Sequence, residues 1–230
     1  MKYKIEGTVM PVLHVILEEG ECVISERGAM VWMDDGLEMH THTHGGISGG
    51  INRMLMGESF FVTKFTAKKH GQSVYFGLSA PGKILDFEIS GGKELICQKT
   101  AFLAGTEGIK LTSMVKKKLL TGFFGGEGFI LQRVGGEGHA FLEIDGEVFK
   151  KTLEKGEKIK VDTGSVAAFE RSVQYDVQRV KGIRNALFGG EGIFLATLEG
   201  PGDVYLQSMT MASLAGRLFP FMETFLKKKK

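Results

Sequence analysis

The chain has 230 residues and a formal net charge of +2, with 29 basic and 27 acidic residues interspersed over most of its length. This balance gives no sign of the basic face or stripe of a nucleic-acid-binding protein, so the composition indicates no clear nucleic-acid partner. Its 33 glycines are about twice the average share, and there are only four prolines. The composition therefore predicts a globular protein with many short strands joined by glycine turns.

The apolar stretches are too short for export or membrane insertion. No run approaches the ~20 apolar residues of a transmembrane helix. The N-terminal run Val12–Leu17 is interrupted by His14, which argues against a signal peptide. We therefore expect a cytoplasmic protein.

The N-terminal part of the chain predicts strands. Met1–Leu17 alternates between polar and apolar residues and then becomes apolar, which predicts an opening strand pair or one bent strand, with Pro11 near an edge. Two short strands separated by a polar turn follow at Cys22–Ser25 and Ala29–Met33, and we expect them to pair with each other.

This segment recurs twice along the chain. Leu17–Met33 aligns without a gap with Ile89–Gly105 and with Leu153–Phe169, and each copy has a glycine at the fourth position. A second motif, a Gly-Glu turn followed by an apolar strand, recurs at intervals along the chain that are similar to those of the first motif. Its copies are Met56–Phe65, Gly125–Val134 and Gly189–Leu198. The phase agreement predicts three tandem β units.

Short strands and glycine turns at this spacing are typical of sandwiches and barrels. We predict an all-β fold in one compact domain of residues 1–230, with repeats at roughly 9–80, 81–145 and 146–208 around a pseudo-threefold axis. In the repeat alignment Cys22 and Cys97 fall three positions apart, which places them on opposite faces of equivalent strands. The sequence therefore predicts free thiols and a reducing compartment.

Three basic and apolar stretches at 40–55, 111–124 and 178–188 predict loops, each with a helical turn. The C-terminal segment 209–226 predicts an amphipathic helix broken near Pro220. Its apolar face is formed by Leu214, Leu218, Phe221 and Phe225. We expect this helix to dock on the β core or on a neighbouring subunit; contact with an anionic membrane surface, assisted by Lys227–Lys230, is the alternative.

Several motifs resemble those of one protein family. They are MDxGxxM at Met33–Met39, the glycine-rich stretch Gly45–Ser59, and the later strings FFGGEGF and LFGGEGIF. In this order they are similar to a widespread family of uncharacterised bacterial and archaeal proteins, whose yeast relative is the mitochondrial biogenesis protein named for altered inheritance of mitochondria. The resemblance runs from about Val9 to the C-terminal helix. It implies a fold similar to the tryptophan RNA-binding attenuator protein, with three β-sandwich-like repeats in one chain, and it implies no activity.

The first candidate metal ligands are His40, His42 and His44. On an extended segment, residues two apart share a face, so three imidazoles can converge on one metal ion. The HxH spacing is similar to that of cupins, but the positions three and four residues beyond His42 or His44 hold no glutamate. Exposed histidines in a glycine-rich loop are the alternative interpretation, so we assign no metal site and test these residues first.

The repeats also place three carboxylates, Glu58, Glu127 and Glu191, at equivalent positions. Around a common axis they would raise each other's pKa and form a cation or general-acid site, whereas solvated glutamates beside turns are the simpler interpretation. The histidines at 14, 70 and 139 are isolated along the chain, and the sequence alone pairs none of them with a nucleophile. The glycine strings lack the last glycine of a dinucleotide fingerprint, so hairpin turns with positive φ explain them.

No catalytic motif is complete, and no cofactor can be assigned. We therefore predict a non-catalytic binding or scaffold protein that assembles with itself or with other proteins through strand edges and the C-terminal helix. The alternative is a metal-dependent, cupin-like enzyme or sensor that uses the three histidines. A weaker third hypothesis is association with anionic membranes or RNA through Lys116–Lys118 and the lysine tail.

Overall fold

Strands dominate the protein, which confirms the predicted all-β class. The computed structural model describes residues 1–43, 61–114, 130–179, 194–210, 213–219 and 222, with the backbone alone at 42, 43, 61, 179 and 194. Contacts between Cα atoms divide the chain into two compact units. The first comprises residues within Met1–Lys117 and Ile130–Ile144, and the second residues within Asp145–Lys230. The prediction of one compact domain remains a prediction.

The described residues of the first unit form thirteen strands and one short 3-10 helix, Lys99–Ala101. The strands are β1 (Lys2–Glu6), β2 (Val12–Leu17), β3 (Cys22–Glu26), β4 (Met30–Met33), β5 (Glu38–Thr43), β6 (Phe61–Thr66), β7 (Gln72–Gly77), β8 (Gly82–Ile89), β9 (Leu95–Gln98), β10 (Phe102–Thr106), β11 (Ile109–Met114), β12 (Leu131–Gly136) and β13 (Gly138–Asp145).

These strands form antiparallel sheets. One sheet has the order β1-β2-β7-β4, a second has the order β5-β6-β3-β10-β13-β8, and β11-β12-β9 are neighbours in that order. β1 pairs with β2 from Lys2↔Ile16 to Glu6↔Val12, so the opening strand pair is confirmed and Pro11 lies directly before β2. The apolar core of this unit includes Leu13, Phe65, Phe76, Leu103 and Phe141, all buried.

One predicted pairing is wrong. The sequence predicts that Cys22–Ser25 pairs with Ala29–Met33, but these segments lie in different sheets. β3 pairs with β6 and β10, whereas β4 pairs with β7. The turn after Glu26, where Gly28 has a φ of 91°, carries the chain from one sheet to the other.

In the second unit, the residues that the structure describes form six strands and the 3-10 helix Thr163–Ser165. The strands are β14 (Val148–Leu153), β15 (Lys158–Asp162), β16 (Val166–Glu170), β17 (Gln174–Arg179), β18 (Phe194–Glu199) and β19 (Gly202–Gln207). β16, β19 and β14 are neighbours in that order, and β15-β18-β17 form a three-stranded sheet.

One pairing order occurs three times. In β2–β7, β8–β13 and β14–β19, the first strand pairs with the sixth and the sixth pairs with the third. In the same sets the second strand pairs with the fifth and the fifth with the fourth. The repeat boundaries at 9–80, 81–145 and 146–208, and the pseudo-threefold axis, stay predictions.

The predicted C-terminal helix is present as α1, at residues 213–219, with residue 222 also helical. It begins at a reciprocal cap, because the Ser213 backbone N–H donates to the Thr210 hydroxyl at 3.0 Å and the Thr210 backbone N–H donates to the Ser213 hydroxyl at 3.2 Å. Leu218 on the predicted apolar face is 51% exposed, and Phe221 and Phe225 lie outside the described residues. No helix in the described part of the chain is long and apolar enough to cross a membrane.

Candidate binding pocket

A pocket of about 270 Å³ opens in the first unit, at the turn ends of several strands. Its floor is apolar, because Phe102 and Leu103 are both buried there. Its walls carry two half-buried carboxyl groups, Glu26 and Glu143. The other lining residues are Arg27, Gly28, Ala29, Gly77, Leu78, Ser79 and Thr100. A concave site with an apolar floor and a few convergent polar groups is the usual form of a small-ligand site.

Glu26 is the last residue of β3, directly before the turn that leads to β4. The Ala29 backbone N–H donates to the Glu26 carbonyl at 3.3 Å, and the Ser25 hydroxyl donates to the same carbonyl at 3.0 Å. These bonds fix the backbone of Glu26 at the pocket wall. Among the described residues, none donates a hydrogen bond to the Glu26 carboxylate or forms an ion pair with it, so the group is available to a ligand.

Glu143 reaches the pocket from β13. The Ser79 backbone N–H donates to its Oε2 at 2.9 Å, and the Ser79 hydroxyl donates to its Oε1 at 3.0 Å. Both oxygens are therefore held by one residue of the β7–β8 connection. Charge-assisted bonds of this kind orient a carboxylate and favour its ionised form.

Strand β10 brings the two carboxyl groups together. It pairs on one side with β3, at Ala104↔Ser25, and on the other side with β13, at Phe102↔Leu142. A bulge between Phe102 and Ala104 shifts the register of the second pairing. Glu26 and Glu143, each one residue beyond a paired position, thereby line the same pocket.

The pKa of Glu26 is raised to about 7, mainly by burial and in addition by the nearby charge of Glu143, while the charge of Lys99 opposes both effects. A carboxyl with this pKa carries its proton for part of the time at neutral pH. The Glu26 pocket can therefore exchange a proton for another cation, because a positive ligand charge favours the ionised carboxylate.

The raised pKa of Glu26 predicts a pH-dependent stability. Between the usual value of about 4.5 and the folded value of about 7, the native state binds more protons than the unfolded state, so stability falls as pH rises through this window. We expect Glu26→Gln to remove this decline and to raise the free energy of unfolding by on the order of 1 kcal/mol above about pH 7, the effect being reduced by partial exposure.

Urea unfolding of both proteins across this pH range checks the prediction. The exposed residue Glu19, in the turn before β3, provides the matched control, since Glu19→Gln should leave the pH dependence unchanged. Parallel curves for Glu26→Gln and wild type would contradict a raised pKa in the pocket.

The predicted histidine cluster lies only partly within the described residues. His40 is on β5, where its side chain is 59% exposed and its Nε2 lies 3.6 Å from the Glu38 carboxylate. The His42 side chain and His44 lie outside the described residues. In the part of the chain that the structure describes, no group of three His, Cys, Asp or Glu residues is placed to hold a metal ion. The cupin-like alternative stays a prediction.

The repeat-equivalent carboxylates Glu58, Glu127 and Glu191 also lie outside the described residues, as do Lys116–Lys118 and Lys227–Lys230. Their predicted roles stay predictions. Both cysteines are free, as the sequence predicts. Burial raises the pKa of the Cys97 thiol to about 12 and also raises the pKa of Cys22, so neither thiol is activated as a nucleophile.

The structure gives partners to the histidines that are isolated in the sequence. His14 Nε2 lies 3.1 Å from the Ser73 hydroxyl, but its ring is 8% exposed and stacks on Tyr75. No carboxylate contacts the other nitrogen of His14 among the described residues, so this pair lacks the third member of a catalytic triad. His70 forms an ion pair with Glu18.

His139 belongs to a small polar cluster with Tyr3 and Asp86. Its Nδ1 lies 2.9 Å from Asp86 Oδ1 and 3.4 Å from the Tyr3 hydroxyl. The hydrogen bond that Tyr3 donates to Asp86 is the main cause that raises the pKa of Tyr3 to about 12. The cluster links β1 to β8 and β13, and each of its members has a partner within it.

Sequence reasoning did not identify Glu26 or Glu143. Glu26 is a polar residue at a turn, and Glu143 is one glutamate in the strand string AFLEI, so neither position is unusual by itself. The only relevant signal is the alignment that makes β3 and β9 equivalent, and it gives no cross-strand partner. Predicting this site requires the strand order of the sheet, in which β10 lies between β3 and β13.

Comparisons with known proteins agree with the motifs. The sequence profile of the mitochondrial biogenesis AIM24 family matches residues 3–209. An uncharacterised protein of Streptococcus pyogenes serotype M6 is 28% identical over 233 residues, which cover 97% of this chain and 92% of that protein. The X-ray crystal structure of a Streptococcus pyogenes protein, from a structural genomics consortium, is similar with a TM-score of 0.78 and 25% identity over 96% of this chain and 99% of that one.

Proposed function

Since the chain belongs to the mitochondrial biogenesis AIM24 family, and its streptococcal relative is described only as uncharacterised, we propose a function from the pocket: non-catalytic binding of a cationic group between Glu26 and Glu143. The observation that carries this proposal is the pair of carboxyl groups in one pocket, of which Glu26 has no hydrogen-bond donor among the described residues. A buried carboxylate is stabilised by an ion partner, and a ligand can supply it.

The chemistry of the pocket favours an alkylguanidinium or alkylammonium group. A guanidinium presents a planar fork of donors that matches a carboxylate, and an ammonium presents three donors. The apolar stem of such a group would pack on the floor formed by Phe102 and Leu103. A volume of about 270 Å³ fits a group of this size rather than a large cofactor.

Two positively charged side chains near the pocket, those of Arg27 and Lys99, do not neutralise the Glu26 carboxylate. Arg27 is an exposed residue at the rim, and no ion pair joins it to Glu26. Lys99 lowers the pKa of Glu26 through its charge, but burial and Glu143 outweigh it. Glu26 therefore has no cation paired with it among the described residues.

The proposal predicts that butylguanidinium binds and that its uncharged isostere butylurea does not. We expect Glu26→Gln and Glu143→Gln each to weaken butylguanidinium binding by about tenfold or more, because each removes a charge-assisted hydrogen bond. Binding should be about tenfold stronger at about pH 8 than at about pH 6, since Glu26 ionises in this interval. Isothermal titration calorimetry with the full chain measures both effects.

Matched controls separate the pocket from general charge attraction. Glu19→Gln removes an exposed carboxylate elsewhere and should leave the affinity unchanged. Equal affinity for butylguanidinium and butylurea, or equal affinity of wild type and both pocket variants, would overturn the proposal. A short peptide with a central arginine that binds more tightly than butylguanidinium would indicate a protein partner as the source of the group; weaker binding would indicate a small molecule.

We propose the cytoplasm as the compartment in which this binding takes place. The free thiols of Cys22 and Cys97 support a reducing environment. Fractionation of cells that produce the tagged chain tests this location, and recovery in an oxidising compartment would contradict it.

A further inference from the structure

One wall of the candidate pocket has a structural counterpart in the second unit. In the first unit, Phe102 of β10 lies opposite Leu142 of β13, and a bulge follows in β10. In the second unit, Val166 of β16 lies opposite Leu206 of β19, and a bulge follows in β16 at the same place. A 3-10 helix directly precedes both β10 and β16. The two strand pairs therefore have the same register, and their residues can be compared position by position.

Glu143 in the first unit corresponds to Gln207 in the second, because each directly follows the paired leucine. The backbone groups that hold the two side chains also correspond. The Ser79 backbone N–H donates to Glu143 Oε2 at 2.9 Å. The Asp145 backbone N–H donates to Gln207 Oε1 at 3.2 Å. The same position in the two units therefore holds a carboxylate in one case and a carboxamide in the other.

The carboxamide of Gln207 is bonded at both ends. Its Nε2 donates to the Gly164 carbonyl at 2.7 Å, and Gln207 is 7% exposed. The carbonyl that corresponds to Gly164 is that of Thr100, two residues before Phe102, and Thr100 lines the pocket. Glu143 lines the pocket as well, but an ionised carboxylate has no N–H to donate. Glu143 therefore cannot supply the donor that Gln207 supplies in the second unit.

The third equivalent position holds Gly77 on β7. It directly follows Phe76, which lies opposite Met30 with a bulge beside it. A Cβ at Gly77 would lie 2.7 Å from Val31 Cγ2, so the Val31 side chain covers this position. Of the three equivalent positions, only the one at Glu143 carries a charged side chain. The charge is therefore a property of this pocket and is not required by the sheet geometry that the three positions share.

We propose that Glu143 keeps the pocket open for a ligand, and that an N–H group of the ligand takes the place of the Gln207 amide and donates to the Thr100 carbonyl. This inference rests on the proposed function, because it requires that the pocket binds a cationic group. It narrows the ligand to cations whose terminal nitrogen carries two or three N–H groups, one for a carboxylate and another for the carbonyl. A monoalkylguanidinium or a primary alkylammonium meets this condition, whereas a quaternary ammonium does not.

The first test compares Glu143→Gln with Glu143→Ala by isothermal titration calorimetry of the full chain with butylguanidinium. Both substitutions remove the charge, but only a glutamine side chain can repeat the bonds of Gln207 and close the pocket. We expect about tenfold weaker binding for Glu143→Ala, and about tenfold weaker binding again for Glu143→Gln, since the ligand must then displace a hydrogen-bonded amide.

The outcomes separate this inference from the proposed function. If the wild type binds butylguanidinium but Glu143→Gln binds it as tightly as Glu143→Ala or more tightly, the inference is overturned and the proposed function stands. Wild-type protein that does not bind butylguanidinium would overturn the proposed function, and this inference with it.

A pair of ligands tests the requirement for N–H groups. Butylammonium and butyltrimethylammonium have the same charge and the same stem, but only the first has N–H groups. We expect wild-type protein to bind butylammonium at least about tenfold more tightly, because each hydrogen bond to a carboxylate contributes substantially. Equal affinity for the two ligands would show that charge alone is sufficient. It would overturn the inference without contradicting the binding of cations.

Side-chain amide exchange makes the test independent of ligand affinity. In ¹H–¹⁵N NMR spectra, Glu143→Gln should add one amide pair that exchanges slowly with water, as we expect for the buried Gln207, whereas the exposed Gln174 provides the fast reference. Adding Ser79→Ala should leave the new pair slow, because its acceptor is the Thr100 carbonyl and not the Ser79 hydroxyl. A new pair that exchanges as fast as that of Gln174, in either variant, would overturn the inference.

Discussion

Replacing Phe141 with alanine is expected to lower the free energy of unfolding of the first unit by about 3–5 kcal/mol. Phe141 is fully buried in the apolar core of this unit, and the Tyr3 ring packs edge-on against it at 4.8 Å. The substitution leaves a cavity among large side chains and removes this ring contact. Differential scanning calorimetry should show a midpoint about 10 °C lower for the affected transition.

Phe149 provides the matched control for this prediction. It is also a phenylalanine on a strand, but 60% of its surface is exposed. Phe149→Ala should change the free energy of unfolding by less than about 0.5 kcal/mol. A loss for Phe141→Ala as small as that for Phe149→Ala would contradict the position of Phe141 in the core.

Replacing Gly136 with alanine is the second large effect, and we expect a loss of about 3 kcal/mol. Gly136 has a φ of 95°, a conformation that residues with a Cβ rarely adopt. An added Cβ would overlap the Gly108 carbonyl oxygen, and Lys110 N would lie 3.2 Å away. The Gly108 carbonyl cannot withdraw without cost, because it accepts a hydrogen bond from the Glu137 backbone N–H.

Gly20 separates the conformational cost from the steric cost. Its φ is 80°, but nothing lies within 4 Å of the position that a Cβ would occupy. Gly20→Ala should therefore cost only about 1 kcal/mol, the penalty for left-handed backbone. Urea unfolding measures both variants, and equal losses would show that the close approach of Gly136 to Gly108 is not a determinant of stability.

Much of the fold could be predicted from the sequence. The alignment of Leu17 with Ile89 and Leu153 marks three equivalent strand ends, and all three side chains are buried. Gly136 has the positive φ that the sequence predicts for one glycine string. The hairpin interpretation is wrong for this string, because it joins β12 and β13, which lie in different sheets. These features are local, and turn chemistry and strand periodicity encode them directly.

The beginnings of the three stretches that the sequence predicts as loops were predicted wrongly, and the remainder of each stretch lies outside the described residues. β5, β11 and β17 extend into segments that the sequence predicts as loops with a helical turn. In β11, Ile109–Met114 alternates only weakly between polar and apolar residues, and six paired positions with β12 hold it extended. Cross-strand pairing decided the conformation where local preference was ambiguous.

The candidate site could not be predicted for a related reason. Glu26 and Glu143 are far apart in the sequence, and their proximity depends on β10, on both of its neighbours, and on the bulge between Phe102 and Ala104. A single sequence has no pattern that specifies which residues of two distant strands lie opposite each other. The histidines drew attention because their spacing is local, whereas the pocket is built from long-range pairing.

The most direct test of the binding proposal is a ¹³C NMR titration of the glutamate side-chain carboxyl groups, with Glu26→Gln to assign the signal. We expect Glu26 to titrate with a pKa of about 7 and saturating butylguanidinium to lower this value. A Glu26 signal that titrates at the usual value of about 4.5, and that butylguanidinium does not shift, would contradict the proposed pocket.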